Sequence, residues 1–355
     1  MKEYTPILKG KRGEFTALQH LGRHAIDRTF PIIEIPPIPT RYDEKEVGVP
    51  VGPIRTFDEH VEMFVRNCQK IQTDFEFGID FSHISANPRV FGKSTVDYVF
   101  TKCYEAGLTA VPVLGLNEEF DHEANLIEQI SDKNIGAVVR IHREDCRFPT
   151  AINNKLQILA QTAKRSLNEL SVVFDFGQIT RGDIEEVIAE CEQLETELPI
   201  HEFKSASIVA TSMPDSATLG MKAFTTDSIP RLEWQLWKRL NASTLAFGDY
   251  GVTNPAYLDI DFRLITLGGK IRYTTSDCWV IVKGMKLKDN GDQFHKLARI
   301  LESKKVCENS QYSWGDRRIR ECAANKSRSG SLETWLAITT NHHVTLVSRQ
   351  LATAA

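Results

Sequence analysis

Eight short runs rich in Val, Ile and Phe recur along the chain, each followed by a polar stretch of helical periodicity. This alternation constrains the fold more than any other feature, because strands separated by helices pair in parallel. The runs occupy residues 5–9, 31–35, 75–81, 109–114, 136–142, 171–176, 205–211 and 243–249. Eight βα units close most economically as a barrel, so the expected fold is an α/β, TIM-like (β/α)8 barrel. The connecting segments carry helix signals of their own. Thr56-Phe57-Asp58-Glu59 has the spacing of a capping box, and Ser131-Asp132-Lys133-Asn134 ends the stretch over 121–130.

Two further apolar runs, 270–274 and 277–283, would make the strand count too high and are read as a hairpin after the barrel. A register beginning at Pro31 and ending with 270–273 is the alternative. After Gly284 the chain changes character: a helix over 291–303, a polar Arg-rich stretch over 308–328, then 334–346. This part is too short and polar to hold a large core by itself. The expected division is a barrel over 1–284 and a small C-terminal appendage over 285–355, packed on the barrel. Residues 32–39, rich in Ile and Pro, read as a strand running into a stiff loop.

Composition removes several function classes. With 43 Lys and Arg against 47 Asp and Glu, a net charge of -4 gives no global reason to bind a polyanion, although a local basic groove could do so. The N-terminus lacks the charged and apolar regions of a signal peptide, and no run approaches the roughly 20 apolar residues needed to span a bilayer. A cytoplasmic protein without membrane association is expected. The seven cysteines, at 68, 103, 146, 191, 278, 307 and 322, show no CxxC spacing and read as reduced structural thiols.

Strand parity then locates candidate functional groups, since successive side chains point to opposite faces. In Phe75-Glu76-Phe77-Gly78-Ile79-Asp80-Phe81 the apolar residues share the face that meets the helices, so Glu76 and Asp80 point into the barrel. The same rule turns Val138, Arg140 and His142 inward against Val139 and Ile141, and Val173 and Asp175 inward against Phe174 and Phe176. Glu34, opposite in parity to Ile33 and Ile35, joins them. Asp249 and Lys9 are added as strand-end charges. Strand C-terminal ends are where barrel enzymes collect their reactive groups. Glu76, deepest along its strand, reads as structural.

Asp80, Asp175 and Asp249 are the candidate catalytic residues, and Lys9, Glu34, Arg140 and His142 the candidate ligand-binding ones. The carboxylates could hold a hard cation such as Mg²⁺, while Arg140, Lys9 and His142 could meet a phosphate or carboxylate, Arg140 with bidentate geometry. The alternative is a purely structural set of paired charges, because buried ions must be neutralised. No GxxxxGK[ST], GxSxG, HExxH or strand-linked GxGxxG is present, so the sequence names no reaction and whether the chain is an enzyme stays open.

Both ends of the chain carry a further signal. Pro6-Ile7-Leu8-Lys9-Gly10-Lys11-Arg12-Gly13-Glu14-Phe15-Thr16-Ala17-Leu18 is followed by Pro31-Ile32-Ile33-Glu34-Ile35. Near the other end stand Trp314-Gly315-Asp316-Arg317-Arg318-Ile319, Gly330-Ser331-Leu332-Glu333-Thr334-Trp335 and Asn341-His342-His343-Val344-Thr345-Leu346. Together these resemble the bacteriophage beta-protein family over nearly the whole chain. The resemblance implies a part in phage–host conflict and supplies no catalytic residues.

The terminal motifs also read on their own. Lys9, Lys11 and Arg12 around Gly10 and Gly13 form either an anion-meeting turn or a basic surface turn. His342 and His343, placed on a strand, would face opposite ways and not share a metal. Arg317, Arg318 and Arg320 read as a solvated face rather than a nucleic-acid contact, and Trp234 and Trp237 as core packing. Two functions follow: binding or processing of a small anionic, phosphorylated or nucleotide-like ligand at the barrel mouth, or a non-catalytic module that binds protein or nucleic acid.

Overall fold

The computed structural model describes residues 2–84, 89–116, 121–133, 135–215, 218, 220–240, 244–261, 263–264 and 267–354. Ser243, at the start of the last expected strand, and Asn134 lie outside them. Eight parallel strands form a closed barrel: β1 (Tyr4–Leu8), β2 (Ile32–Glu34), β3 (Phe77–Asp80), β4 (Ala110–Gly115), β5 (Ala137–His142), β6 (Leu170–Gln178), β7 (Ser205–Thr211) and β8 (Ala246–Asp249). Each pairs with its sequence neighbour, and β8 closes on β1 with Tyr4 opposite Phe247 and Pro6 opposite Asp249. That closure excludes the register beginning at Pro31.

Parity organises the barrel wall as expected. Phe75, Phe77, Ile79, Phe81, Val139, Ile141, Phe174 and Phe176 belong to the outer core under the helices. Ile7, Ile32, Val111, Val113, Val138, Val173, Val209 and Tyr250 fill the interior. Below this apolar plug, at the strand N-terminal ends, Lys204 pairs with Glu76 at 3.2 Å. Above it, at the C-terminal ends, sit the charged residues. The plug separates the two ends, so the upper group is a site of its own.

Residues 270–274 and 277–283 do form a hairpin, within the antiparallel strands Gly268–Thr274 and Cys278–Lys286. A third strand, Thr226–Pro230, joins its other edge from the segment between β7 and β8. One face of this sheet, with Ile271, Tyr273, Val280 and Val282, packs on the helices Phe294–Ser303 and Trp314–Ala323. The opposite face carries Trp279 and Ile281, which pack on Met213 and Val252 beside the barrel.

The histidine pair lies on a helix rather than a strand. Helix Leu332–Ala354 buries Val344, Leu346, Val347 and Leu351 in the barrel's outer core. Its apolar and small residues run around most of its circumference because it is sandwiched between the barrel and the sheet. Such all-round burial erases the alternation by which a strand and a short helix would be told apart. Here the helix occupies the place of the eighth barrel helix, against β1 and helices Arg12–Gln19 and Arg23–Arg28.

Candidate functional site

Arg140, near the end of β5, is the hub of the upper group. Its Nε and Nη2 donate to Asp175 Oδ2 at 2.9 and 2.7 Å, and Nη1 donates to Glu34 Oε1 at 2.8 Å and Asp80 Oδ2 at 2.7 Å. A further Nη2 bond reaches Tyr250 Oη at 2.9 Å, and that hydroxyl donates to Asp175 Oδ2 at 2.6 Å. A guanidinium has five N–H donors, and all five are taken by protein acceptors. Arg140 therefore pins the carboxylates in place and has no donor left to clamp a ligand anion. Burial would lower the Arg140 pKa, but Asp175, Tyr250, Asp80 and Glu34 outweigh it and keep the group charged.

Asp80 and Asp175 are satisfied from the other side by the backbone turns that follow their strands, and Glu34 by a tyrosine of the loop after β8. Ser82 N–H donates to Asp80 Oδ1 at 2.8 Å, Gly177 N–H donates to Asp175 Oδ1 at 3.0 Å, and Tyr257 Oη donates to Glu34 Oε2 at 2.9 Å. Burial alone would raise the Asp80 carboxyl, yet Arg140 and the Ser82 N–H hold it below the usual carboxylate range. Among the described residues no group of three or more His, Cys, Asp and Glu side chains is placed to hold a metal ion.

The cluster reaches solvent through two imidazoles. His83 Nε2 lies 3.4 Å from Glu34 Oε1, and His142 Nδ1 lies 3.6 Å from Asp175 Oδ2, with side chains 34% and 45% exposed. Lys9 completes the wall. Its ammonium donates to Ala256 O and lies 4.4 Å above the Tyr257 ring. Burial and then Lys11 bring its pKa down to about 8. The turn after it needs Gly10, at φ 59°, because a side chain there would collide with Glu34 O and press on Phe64.

The structure thus gathers Lys9, Glu34, Asp80, Arg140, His142 and Asp175 at one mouth. Asp249 is a correction: it shares a face with Phe247, outside the barrel, fully buried beneath helix Leu332–Ala354. Phe247 is an outward residue, so parity along β8 itself places Asp249 outside and Tyr250 inside. Tyr250 was legible by that rule. Tyr257 and His83 were not, since both lie on loops without a period.

Asp249 instead anchors the terminal motifs. Its carboxylate accepts from Tyr4 Oη at 2.6 Å, Gly251 N–H at 2.9 Å and His343 Nε2 at 2.8 Å. His342 takes a different partner, with Nδ1 2.8 Å from Asp316 Oδ2, and Asp316 accepts from Tyr273 Oη at 2.8 Å and Ser313 Oγ at 2.6 Å. Gly315 N–H donates to Asn341 Oδ1 at 2.9 Å, while Asn341 Nδ2 donates to Ala17 O at 3.0 Å. Arg12 pairs with Glu333 through two bonds of 2.7 and 2.5 Å. The motifs at the two ends of the chain therefore hold one another.

Arg318 pairs with Glu321 at 2.6 Å, and Arg320 donates to Glu308 O at 2.8 Å, while Trp314 stacks on His20 at 4.5 Å. Trp234 and Trp237 stack at 5.3 Å and both meet the Phe247 ring edge-on, which is core packing. None of the seven cysteines is in a disulfide.

Gly315 supplies a direct test of this locking. A methyl group there would collide with Ile338 O and come 3.0 Å from His342 N, both backbone atoms that cannot move without shifting the helix. Gly315→Ala is expected to destabilise the fold by about 1–3 kcal/mol, read as a lower urea midpoint. An unchanged midpoint would show the contact is easily relieved.

Fold and mouth together define an α/β barrel protein with a preorganised polar cluster at its strand C-terminal ends. The family described as Beta protein matches residues 4–349, nearly the whole chain, and the chain belongs to that family. Comparison with curated proteins gives no match. No helix among the described residues is long and apolar enough to cross a membrane.

Proposed function

We propose that the chain binds a small phosphorylated, nucleotide-like ligand at the barrel mouth, in the setting of phage–host conflict that the family resemblance implies. One observation carries the ligand reading: a fully hydrogen-bonded, buried cluster of Arg140, Glu34, Asp80 and Asp175 is joined to solvent by the part-exposed imidazoles of His83 and His142. A purely structural network would be capped by packed side chains, whereas the two imidazoles above the buried carboxylates reach solvent and can exchange hydrogen bonds with ligand hydroxyl or amino groups. Asp80 and Asp175 are the groups that would act on a bound ligand if it is processed.

The test is calorimetric titration of nucleotides, nucleosides and sugar phosphates into the wild type and the double variant His83→Ala, His142→Ala. At least one phosphorylated compound is expected to bind the wild type, and the double variant to lose about tenfold in affinity, roughly 1.4 kcal/mol. Equal binding by both proteins, or no binding by the wild type, rejects the reading.

A second reading, docking of a protein partner, has one observation in its favour. The hairpin formed by Thr40–Tyr42 and Pro50–Pro53 exposes Val47 at 53%, Val49 at 41% and Val51 at 48%, near Leu264 at 58%. Thr40 and Gly48 tie the hairpin to Asp259 and Asp261. Val49→Asp would leave ligand binding unchanged under the first reading and abolish partner binding under the second.

A further inference from the structure

The mouth cluster as described is not itself a good home for a phosphate. Glu34, Asp80 and Asp175 set three negative charges against Arg140 and Lys9, and Arg140 has no donor to spare. Cations free of carboxylate partners lie to one side, where the β1 turn meets the added sheet. In strand Gly268–Thr274, Ile271 and Tyr273 face the helices, so Lys270 and Arg272 take the opposite face, toward the barrel. Arg272 Nη1 donates to Val252 O at 3.1 Å, just past the end of β8, which fixes that guanidinium at the rim. Its buried Nε has no hydrogen-bond partner among the described residues.

Lys11, in the turn after β1 two residues on from Lys9, adds its charge to this side of the barrel. It is close enough to depress both Lys9 and Lys270, and burial with Arg272 and Lys11 brings Lys270 down to about 8. Burial lowers Arg272 to about 10. The acids whose charge reaches these cations are Glu14, which accepts from the Lys11 N–H, and Asp215, and among the described residues neither makes an ion pair with any of the four cations. Elsewhere the fold neutralises its cations readily, as in Arg12–Glu333 and Lys204–Glu76. Cations crowded together with an unmet buried N–H disfavour the ligand-free state, and a polyvalent anion relieves all of these costs at once.

We propose that Lys11, Lys270 and Arg272, with Lys9 at their edge, form a phosphate-binding shelf beside the mouth cluster. It takes the phosphate or diphosphate of a small ligand whose hydroxyl- or amine-bearing part enters the barrel mouth. The placement of that second part rests on the barrel-mouth reading above; the shelf does not.

Inorganic pyrophosphate, a nucleoside and its diphosphate separate these statements when titrated in phosphate-free buffer at low and high salt. Wild type is expected to bind pyrophosphate, more weakly as salt rises, and the diphosphate more tightly than the nucleoside. Lys270→Ala should lose at least tenfold for pyrophosphate while its ligand-free melting temperature rises, because a repelled cation has been removed. Arg272→Gln should show the same loss of binding. The His83→Ala, His142→Ala variant should keep pyrophosphate binding. Should that variant also bind the diphosphate as tightly as wild type, the barrel-mouth reading fails and the shelf stands. The shelf is overturned if wild type does not bind pyrophosphate, or if Lys270→Ala binds it as tightly as wild type. A Lys270→Ala protein that melts lower marks the lysine as structural and likewise overturns it, as does an oligonucleotide that binds far more tightly than the diphosphate.

Discussion

Arg140→Met is expected to cost about 3–5 kcal/mol at neutral pH, enough to leave much of the population unfolded if the fold has ordinary stability. Methionine fills similar space but removes five donated hydrogen bonds and leaves Glu34, Asp80 and Asp175, all under 5% exposed, without their counter-charge. The loss should shrink in acid. In the wild type the Asp80 carboxyl is held below its ordinary value of 3.8, so its contribution is present above that value and is lost as pH falls through the lower folded value. In the variant the same carboxyl lacks its guanidinium and protonates more readily, so the wild-type advantage narrows as pH drops. Urea unfolding at pH 7.5 and at about pH 3.5, just below that ordinary value, measures both. A variant within about 1 kcal/mol of wild type at pH 7.5 would mean that water satisfies the carboxylates and that Arg140 is not their hub.

His343→Leu is the second large effect, of about 3 kcal/mol or more, because it strips one partner from a fully buried pair and breaks the contact between the C-terminal helix and β8. The ring also bridges to Thr274 Oγ at 2.9 Å and stacks on Trp279 at 5.0 Å, so the loss extends to the added sheet. The pH dependence has a definite sign. Burial lowers the folded His343 pKa below its ordinary 6.5, so wild-type stability is lost as pH falls from about that value toward the folded one. Asp249 adds to this in stronger acid: burial would raise it, but His343 and the donated hydrogen bonds hold it below 3.8. The variant should lack the first of these slopes. Midpoints of thermal unfolding between pH 7.5 and pH 5 will show whether the two proteins converge. Parallel curves would remove His343 as the titrating group.

The barrel was legible because each strand carries its outward apolar residues at a period of two, and the helices between them enforce parallel pairing. Six of the seven residues singled out for the mouth come together there, five of them chosen by that parity and Lys9 as a strand-end charge. Asp249 does not, since it was chosen as a strand-end charge rather than by its parity with Phe247. The C-terminal helix was harder to read because burial on nearly all sides removes the amphipathic stripe that normally marks a helix. Nor could any local pattern reveal that Arg140 spends all its donors on the protein, or that Lys270 and Arg272 approach Lys11. These depend on contacts between segments far apart in the chain, which sequence periodicity does not encode.

The helix that seals β1 and β8 begins at Leu332, some 80 residues beyond Asp249. During translation all eight strands will have left the ribosome while the outer face of this seam, with Tyr4 and Asp249, still lacks its cover. The nascent barrel must therefore wait, with a charged residue and the Tyr4 ring exposed at its joint, for a segment made much later. A stop codon after Asp249 but before Leu332 would yield a chain with every strand of the barrel and no helix over its seam, a natural substrate for chaperones and proteases.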